Sequence, residues 1–416
     1  MRPPVLFELS AAEKKKTALL FVYFFLVVAV FWIQKPLRTS RLLISGGIVA
    51  LPWAKLLVAA VVMPALVIYD AVTRSLRKRP RAVLVSVCAG AFALGLAGFA
   101  RYGRTSTAAA FAYYLFVDIF VTVMVALFWS LAHESTPPAQ ARRIYALVGA
   151  GGILGGVAGS AFTGWYAQTT PPETMLWTAA ALLAPLPVLA WALGPPARDA
   201  DDAGPDFQGA WHGARLTWAS PYLLGIAAVV VLYEVSSNVV DYLFHALSLQ
   251  AFAEQAVLAS FLGRLNAVII AASFLFQLIL TSFLLRRRGP RDGLLILPAA
   301  FAAGSLLFLT APTLAAAVLL FVSDGSLGYS VNQTSKETLY TPAALPAKYQ
   351  AKAFIDMVLF RLAKAFSSLL IAAFNVWLLP RGWPLRTLSF VILFCLLFWV
   401  PAAATAGRSF DRLEEG

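Results

Sequence analysis

Apolar stretches long enough to span a bilayer recur along the chain at roughly 17–34, 48–70, 82–100, 108–130, 144–166, 175–193, 221–245, 258–285, 293–310, 312–331, 352–378 and 387–405, each close to the ~20 residues such a crossing needs. Short polar turns separate them, the tightest being Ala311-Pro312-Thr313. One interruption is different in kind. Residues 194–218 are polar, acidic and rich in Pro and Gly, the composition of a linker. The pattern predicts an all-α polytopic membrane protein of twelve transmembrane helices in two six-helix bundles, 1–193 and 219–416, joined by a cytoplasmic linker over 194–218.

Composition agrees and adds orientation. Of 416 residues 60% are hydrophobic and 13% charged, and mean hydropathy is +0.77, well beyond an ordinary soluble domain. The net charge of +13 is sided. With the N-terminus inside, segments on the inner side hold 22 Lys and Arg and those on the outer side 7, with Lys55, Arg264, Arg361 and Lys364 inside spans. That imbalance places both termini in the cytoplasm. The excess of positive charge therefore reports topology and a lipid bilayer as partner, with no nucleic acid implied. Cys88 and Cys395 both sit in apolar runs, which excludes a disulfide scaffold and a CxxC metal site. Lys14-Lys15-Lys16 before an apolar run resembles a signal peptide. The run ends in Gln34-Lys35-Pro36 with no small-residue cleavage site, so an uncleaved first span is expected.

Ionisable side chains within spans are costly and usually face a bundle interior, a partner or water. The stretch from Asp324 to Lys364 carries Asp324, Lys336, Glu337, Lys348, Lys352, Asp356, Arg361 and Lys364 at or near membrane depth. In one continuous helix Lys352, Asp356, Phe360 and Lys364 recur every four residues and share a face. Span one crowds Gln34, Lys35, Arg38 and Arg41 at its outer end, where Pro36 predicts a kink. Lys55 adds a further cation early in span two. Arg offers a two-pronged fork to phosphate or carboxylate, so this cluster reads as an anion site. Span four places Tyr114, Asp118 and Thr122 on one face, with Asp118 either a proton site or the partner of Arg38 or Lys55. Span seven carries Glu234, Asn238, Asp241 and His245 as a polar stripe. Glu234 is the leading candidate for a coupling or gating carboxylate, and His245, at the outer end, is expected to be solvated. Span eight adds Asn266, Ser273, Gln277 and Thr281. In span five Gly151, Gly155 and Gly159 form a small-residue stripe of the kind that lets two helix backbones approach.

Six spans, a linker and six spans suggest a major facilitator architecture, in which two bundles rock about a central site. Asp70-x-x-x-Arg74 with Arg77, Lys78 and Arg79, and Arg286-Arg287-Arg288 in the second half, occupy corresponding short inner loops. The substrate-binding candidates are Lys35, Arg38, Lys55, Lys352, Arg361 and Lys364, expected to converge on one chamber. Coupling or gating candidates are Asp118, Glu234, Asn238, Asp241, Asp324 and Asp356. The function read from these residues is secondary active transport of a small anionic solute by alternating access. The alternative is proton-coupled transport of an amphiphile such as a drug, siderophore or lysolipid. An enzyme is not expected: His133, His212 and His245 are the three histidines, and no nucleophile–base set or metal-ligand spacing accompanies them. Neither a cofactor nor a metal is called for, and the chain reads as a monomer.

Lys348-Tyr349-Gln350-Ala351-Lys352-Ala353-Phe354-Ile355-Asp356, continuing to Arg361, resembles a motif of the bacterial and plastid ATP/ADP antiporters and their free-living bacterial relatives. Further pieces follow the same order: Lys35-Pro36-Leu37-Arg38, Phe128-Trp129-Ser130, Arg142-Arg143 leading into Gly149-Ala150-Gly151-Gly152, Ser220-Pro221-Tyr222-Leu223, Asp241-Tyr242 with Phe244, Asp324-Gly325-Ser326 with Tyr329-Ser330, and Glu337-x-Leu339-Tyr340. The resemblance implies a twelve-helix, major-facilitator-like exchanger of the bacterial inner membrane. It further implies that Lys35, Arg38, Glu234, Lys352, Asp356 and Arg361 handle nucleotide phosphates, and that a counter-transported anion or a coupling proton accompanies the substrate. Two positions depart from the family pattern: Thr39 stands where an acidic residue is expected, and Leu362-Ala363-Lys364-Ala365 replaces a glycine-rich run after Arg361.

Overall fold

The first helix starts where local chemistry tells it to. Glu13 N–H donates to Ser10 Oγ at 3.2 Å and Ser10 N–H donates to Glu13 Oε2 at 2.9 Å, a reciprocal cap that satisfies two otherwise orphaned donors. From there α1 runs Ala11–Gly46 through Pro36, and Gly47 ends it at φ 68, a left-handed conformation that glycine adopts without penalty. The computed structural model describes residues 10–75, 81–102, 106–194, 207–342 and 350–415.

The remaining helices follow the apolar pattern: α2 Ala50–Ser75, α3 Arg81–Tyr102, α4 Thr107–Ser135, α5 Pro138–Tyr166 and α6 Pro172–Ala192, then α7 Phe207–Ala219, α8 Pro221–Ala251, α9 Gln255–Thr281, α10 Gly289–Thr310, α11 Leu314–Leu339, α12 Gln350–Arg381 and α13 Leu385–Arg412. Ser106, Ser220 and Thr313 cap α4, α8 and α11 through their side-chain oxygens. A break at Ala184 precedes Pro185 in α6, where proline lacks the N–H that would continue the ladder. Wider, π-type turns interrupt α9 at Phe276–Thr281, α11 at Gly328–Asn332, and α12 at Phe354–Leu359 and Phe374–Leu378.

Among the described residues eleven helices are long and apolar enough to cross a membrane, and Ala50–Val62 at the start of α2 is a shorter apolar stretch at the place of the second span. The fold is thus all-α and polytopic, as the periodicity predicts. The sequence reads 194–218 as a linker. Its residues 195–206 lie outside the described ones, and its remainder is helical: α7. A Cβ at Gly213 would overlap Gln350 O, so α7 lies backbone against backbone on the start of α12.

The chain forms two compact units. The first comprises Met1–Gly46, Ala60–Gly204 and Ala253–Val268; the second comprises Gly47–Ala59, Pro205–Phe252 and Ile269–Gly416. In the first, α1 and α5 pack most closely. A Cβ at Gly151 would stand 2.6 Å from Phe21 O, and one at Gly155 or Gly159 would overlap Phe25 O or Ala29 O. Only hydrogens at these positions permit that approach. Phe24 stacks on Phe128 of α4 at 4.4 Å. In the second unit Phe244 of α8 stacks on Phe321 of α11 at 4.0 Å, and the buried Trp399 of α13 meets Tyr233 and Phe301.

Candidate functional site

In the first unit the C-terminal part of α1 carries Lys35, Arg38 and Arg41. Arg38, only 5% exposed, is ion-paired with Asp118 of α4. Its Nη1 also donates to Tyr114 O at 3.1 Å, and the guanidinium lies 4.2 Å over the Tyr114 ring. The ring face is electron-rich and adds to the carboxylate in holding the charge. Thr122 donates to Asp118 O at 2.8 Å. Among the described residues, Arg38 Nε and Arg41 Nη2 are buried donors without an acceptor, and Gln34 Oε1 is a buried acceptor without a donor. Lys35 turns toward Trp32, its Nζ 4.1 Å from the ring centre.

The second unit holds the other candidates. Lys55 Nζ stands 2.5 Å from Asp241 Oδ2 and donates also to Asn238 Oδ1. Asn238 Nδ2 donates to Ser367 at 2.7 Å and Ser368 at 3.0 Å. Both amide hydrogens are thereby used toward α12, which aims the amide oxygen at Lys55. The sequence pattern grouped Lys55 with the span-one cations; its partners lie instead on α8. His245 is a correction too. It is 7% exposed, with Nδ1 2.7 Å from Asp241 O, and its ring meets Phe244 and Phe321. Two aromatic neighbours exclude the water expected there.

Glu234 is buried, with Lys364 Nζ 4.0 Å away. Across α11 and α12 the pairs Lys336–Asp356, at 3.0 Å, and Lys352–Glu337 form two rungs. The π-type turn over Phe354–Leu359 sits between Lys352 and Lys364 and breaks the strict four-residue register read from the sequence. Arg361 is half-buried in α12 and has no ion pair among the described residues. Asp324 Oδ2 accepts from Ser237 at 2.7 Å.

Sequence reasoning overlooked Ser367, Ser368 and Asn375, the last accepting a hydrogen bond from Tyr242 Oη. Small polar residues in an apolar helix read as packing. The adjacent serines of α12, opposite a span bearing Asn238, were the available signal. Lys348 lies outside the described residues, as do the side chains of Asp70, Arg74, Arg142, Arg286 and Arg288.

Chemically, these are buried or half-buried cations neutralised by carboxylates in apolar surroundings. Such pairs tolerate exchange of one anion for another far better than loss of one partner, because an uncompensated buried charge is costly. Residues 211–410 match the family described as TLC ATP/ADP transporter. ADP,ATP carrier protein 1 of Chlamydia pneumoniae is 23% identical over 361 residues, covering 76% of this chain and 70% of that one. ADP,ATP carrier protein 2 of the same organism is 23% identical, covering 76% and 68%. The structure superposes on a mutant of the nucleoside transporter NupG with a TM-score of 0.68 at 15% identity, over 96% of this chain and 99% of that. A D-xylose–proton symporter follows at 0.63 and 14% identity, over 94% and 96%. The fold is that of the major facilitator transporters.

Proposed function

We propose, from the match of residues 211–410 to the TLC ATP/ADP transporter family, that this chain is a secondary transporter moving a nucleotide-type anion across the membrane in exchange for a second anion. Support comes first from the charge pairing. Arg38, Lys55, Lys336, Lys352 and Lys364 each have a carboxylate within 4.0 Å. An incoming phosphate takes a position that a carboxylate now holds, and the displaced carboxylate reclaims the cation when the substrate leaves. Among the described residues, Arg38 Nε and Arg41 Nη2 supply donors that no acceptor uses, and Arg361 adds a cation without a carboxylate. In this reading Lys35, Arg38, Lys55, Lys352, Arg361 and Lys364 bind substrate, while Asp118, Glu234, Asp241 and Asp356 gate it. Asn238 positions Lys55. Both termini face the cytoplasm of a bacterial inner membrane.

The single observation that carries the reading is the buried Arg38–Asp118 pair with its idle Nε. The names of the relatives favour a nucleotide over an amphiphile, and cations held within apolar helices, as Arg38 and Lys55 are, have no use for an uncharged or cationic amphiphile. Proteoliposomes loaded with unlabelled ADP test the proposal: they accumulate labelled ATP faster than empty ones, and Arg38→Ala abolishes the difference. Equal uptake by loaded and empty vesicles overturns exchange.

A further inference from the structure

Anion exchange at Arg38 makes no use of Trp129, although Phe128-Trp129-Ser130 stands out in the sequence. Trp129 of α4, His133 one turn on and Tyr145 of α5 form a triangle of rings whose centres lie 5.5, 5.7 and 5.8 Å apart. Phe24 of α1 closes one side. Its ring is 5.6 Å from that of Trp129 and stacks on the fully buried Phe128. Phe128 is core, whereas Trp129 and Tyr145 are half-buried and His133 is exposed. Trp129 meets Tyr145 at 71° and His133 at 32°, so neither neighbour lies flat on the indole. The indole N–H and the His133 ring nitrogens make no hydrogen bond among the described residues.

Helix geometry ties this cluster to the Arg38–Asp118 pair. Trp129 and His133 follow Asp118 by eleven and fifteen residues, close to three and four turns, which sets all three within roughly 60° on one face of α4. On α1, Phe24, Phe31 and Arg38 recur every seven residues, near two turns, and share a face as well. The Arg38 guanidinium lies 5.9 Å from the centre of the Phe31 ring. Together α1 and α4 make one seam, with the ion pair at one end and the rings at the other. The two ends lie about 16 Å apart along α4, at 1.5 Å rise per residue. An extended nucleoside di- or triphosphate bridges such a gap from base to terminal phosphate. A nucleoside is too short to reach both ends, and inorganic phosphate fills only one.

We propose that Trp129, His133 and Tyr145 form a nucleobase subsite, so that a nucleotide lies along the α1–α4 seam with its base on Trp129 and its terminal phosphate at Arg38. The indole offers the base a flat apolar face, and such stacking tolerates any base because each has a π-face. The indole N–H and the exposed imidazole are free to meet the polar edge of the base. These rings are not a lipid-facing belt, since they share the face of Asp118 and contact α1 and α5. The subsite rests on the reading of the substrate as a nucleotide-type anion and adds what would recognise its uncharged end.

Titration calorimetry on the full chain in lipid nanodiscs, with ATP, tripolyphosphate and adenosine as ligands, separates the two ends. Trp129→Ala should weaken ATP binding about tenfold and leave tripolyphosphate binding unchanged. Trp129→Phe should recover most of that loss, because a stacking face returns. His133→Ala, at an exposed position, should weaken ATP about threefold, so the test stands even if Trp129→Ala does not fold. Arg38→Ala should weaken ATP and tripolyphosphate alike. Equal loss of ATP and tripolyphosphate in Trp129→Ala, or undiminished ATP binding in both alanine variants, overturns the base subsite and leaves anion exchange standing. Adenosine binding that Trp129→Ala removes, in a wild type that ignores tripolyphosphate, keeps the base subsite and overturns the anion reading. A wild type that binds none of the three overturns both.

Discussion

Lys55 of α2 and Asp241 of α8 stand 2.5 Å apart as an ion pair whose side chains are 11% and 26% exposed. Asn238 braces the lysine from one side, and His245 contacts the aspartate. Removing one member strands the other in a poorly hydrated place, at a cost on the order of 3 kcal/mol. Removing both strands neither. Lys55→Met and Asp241→Leu singly should therefore each lower the melting temperature of purified protein, and the double variant should melt above the temperature expected from their sum. Additive shifts would mean that the pair contributes nothing as a pair.

Arg38 combines a carboxylate, a backbone carbonyl and an aromatic face, and Lys reproduces only the charge. Arg38→Lys should weaken ATP binding about tenfold, equivalent to about 1.4 kcal/mol, while the protein stays folded. Arg38→Ala should weaken it further. Titration calorimetry against ATP and ADP reads both.

The glycine stripe of α5 gives an unequal pair of outcomes. Gly155→Leu forces a side chain into the carbonyl of Phe25 and should yield aggregated or unrecoverable protein. Gly90 in α3 has nothing within 4 Å of its would-be Cβ. Gly90→Ala should raise stability by about 0.5–1 kcal/mol through helix propensity alone, measured by thermal unfolding in one detergent.

The two rungs between α11 and α12 should differ. Lys352 and Glu337 are each 37% exposed, so solvent screens them, and Glu337→Gln should cost no more than ~1 kcal/mol. Lys336 and Asp356 are 13% and 26% exposed, and Asp356→Asn should cost more and be less sensitive to salt.

Where the sequence spoke clearly, one physical constraint did the selecting. The bilayer demands long apolar helices, so α3, at Arg81–Tyr102, lies within two residues of its predicted span at either end. Carbonyl contact demands glycine, so Gly151, Gly155 and Gly159 were visible as a stripe. Arg38 was one of two partners foreseeable for Asp118, the other being Lys55, since Asp118 is the one charged residue in its span and needs a cation. Lys55 was not foreseeable with Asp241, because 186 residues separate them and no local rule pairs α2 with α8. Ser367 and Ser368 were hidden for a different reason: their role exists only through Asn238. The helical half of the linker was hidden by its glycines, one of which, Gly213, is there for close packing on Gln350 rather than for flexibility.

The central claim is that a buried arginine receives the anion this chain carries. Counterflow of labelled ATP into ADP-loaded proteoliposomes, compared between wild type and Arg38→Ala reconstituted in equal amounts, tests it most directly. The account predicts accumulation in the wild type and none above empty-vesicle background in the variant. Accumulation at the same rate in both would contradict it.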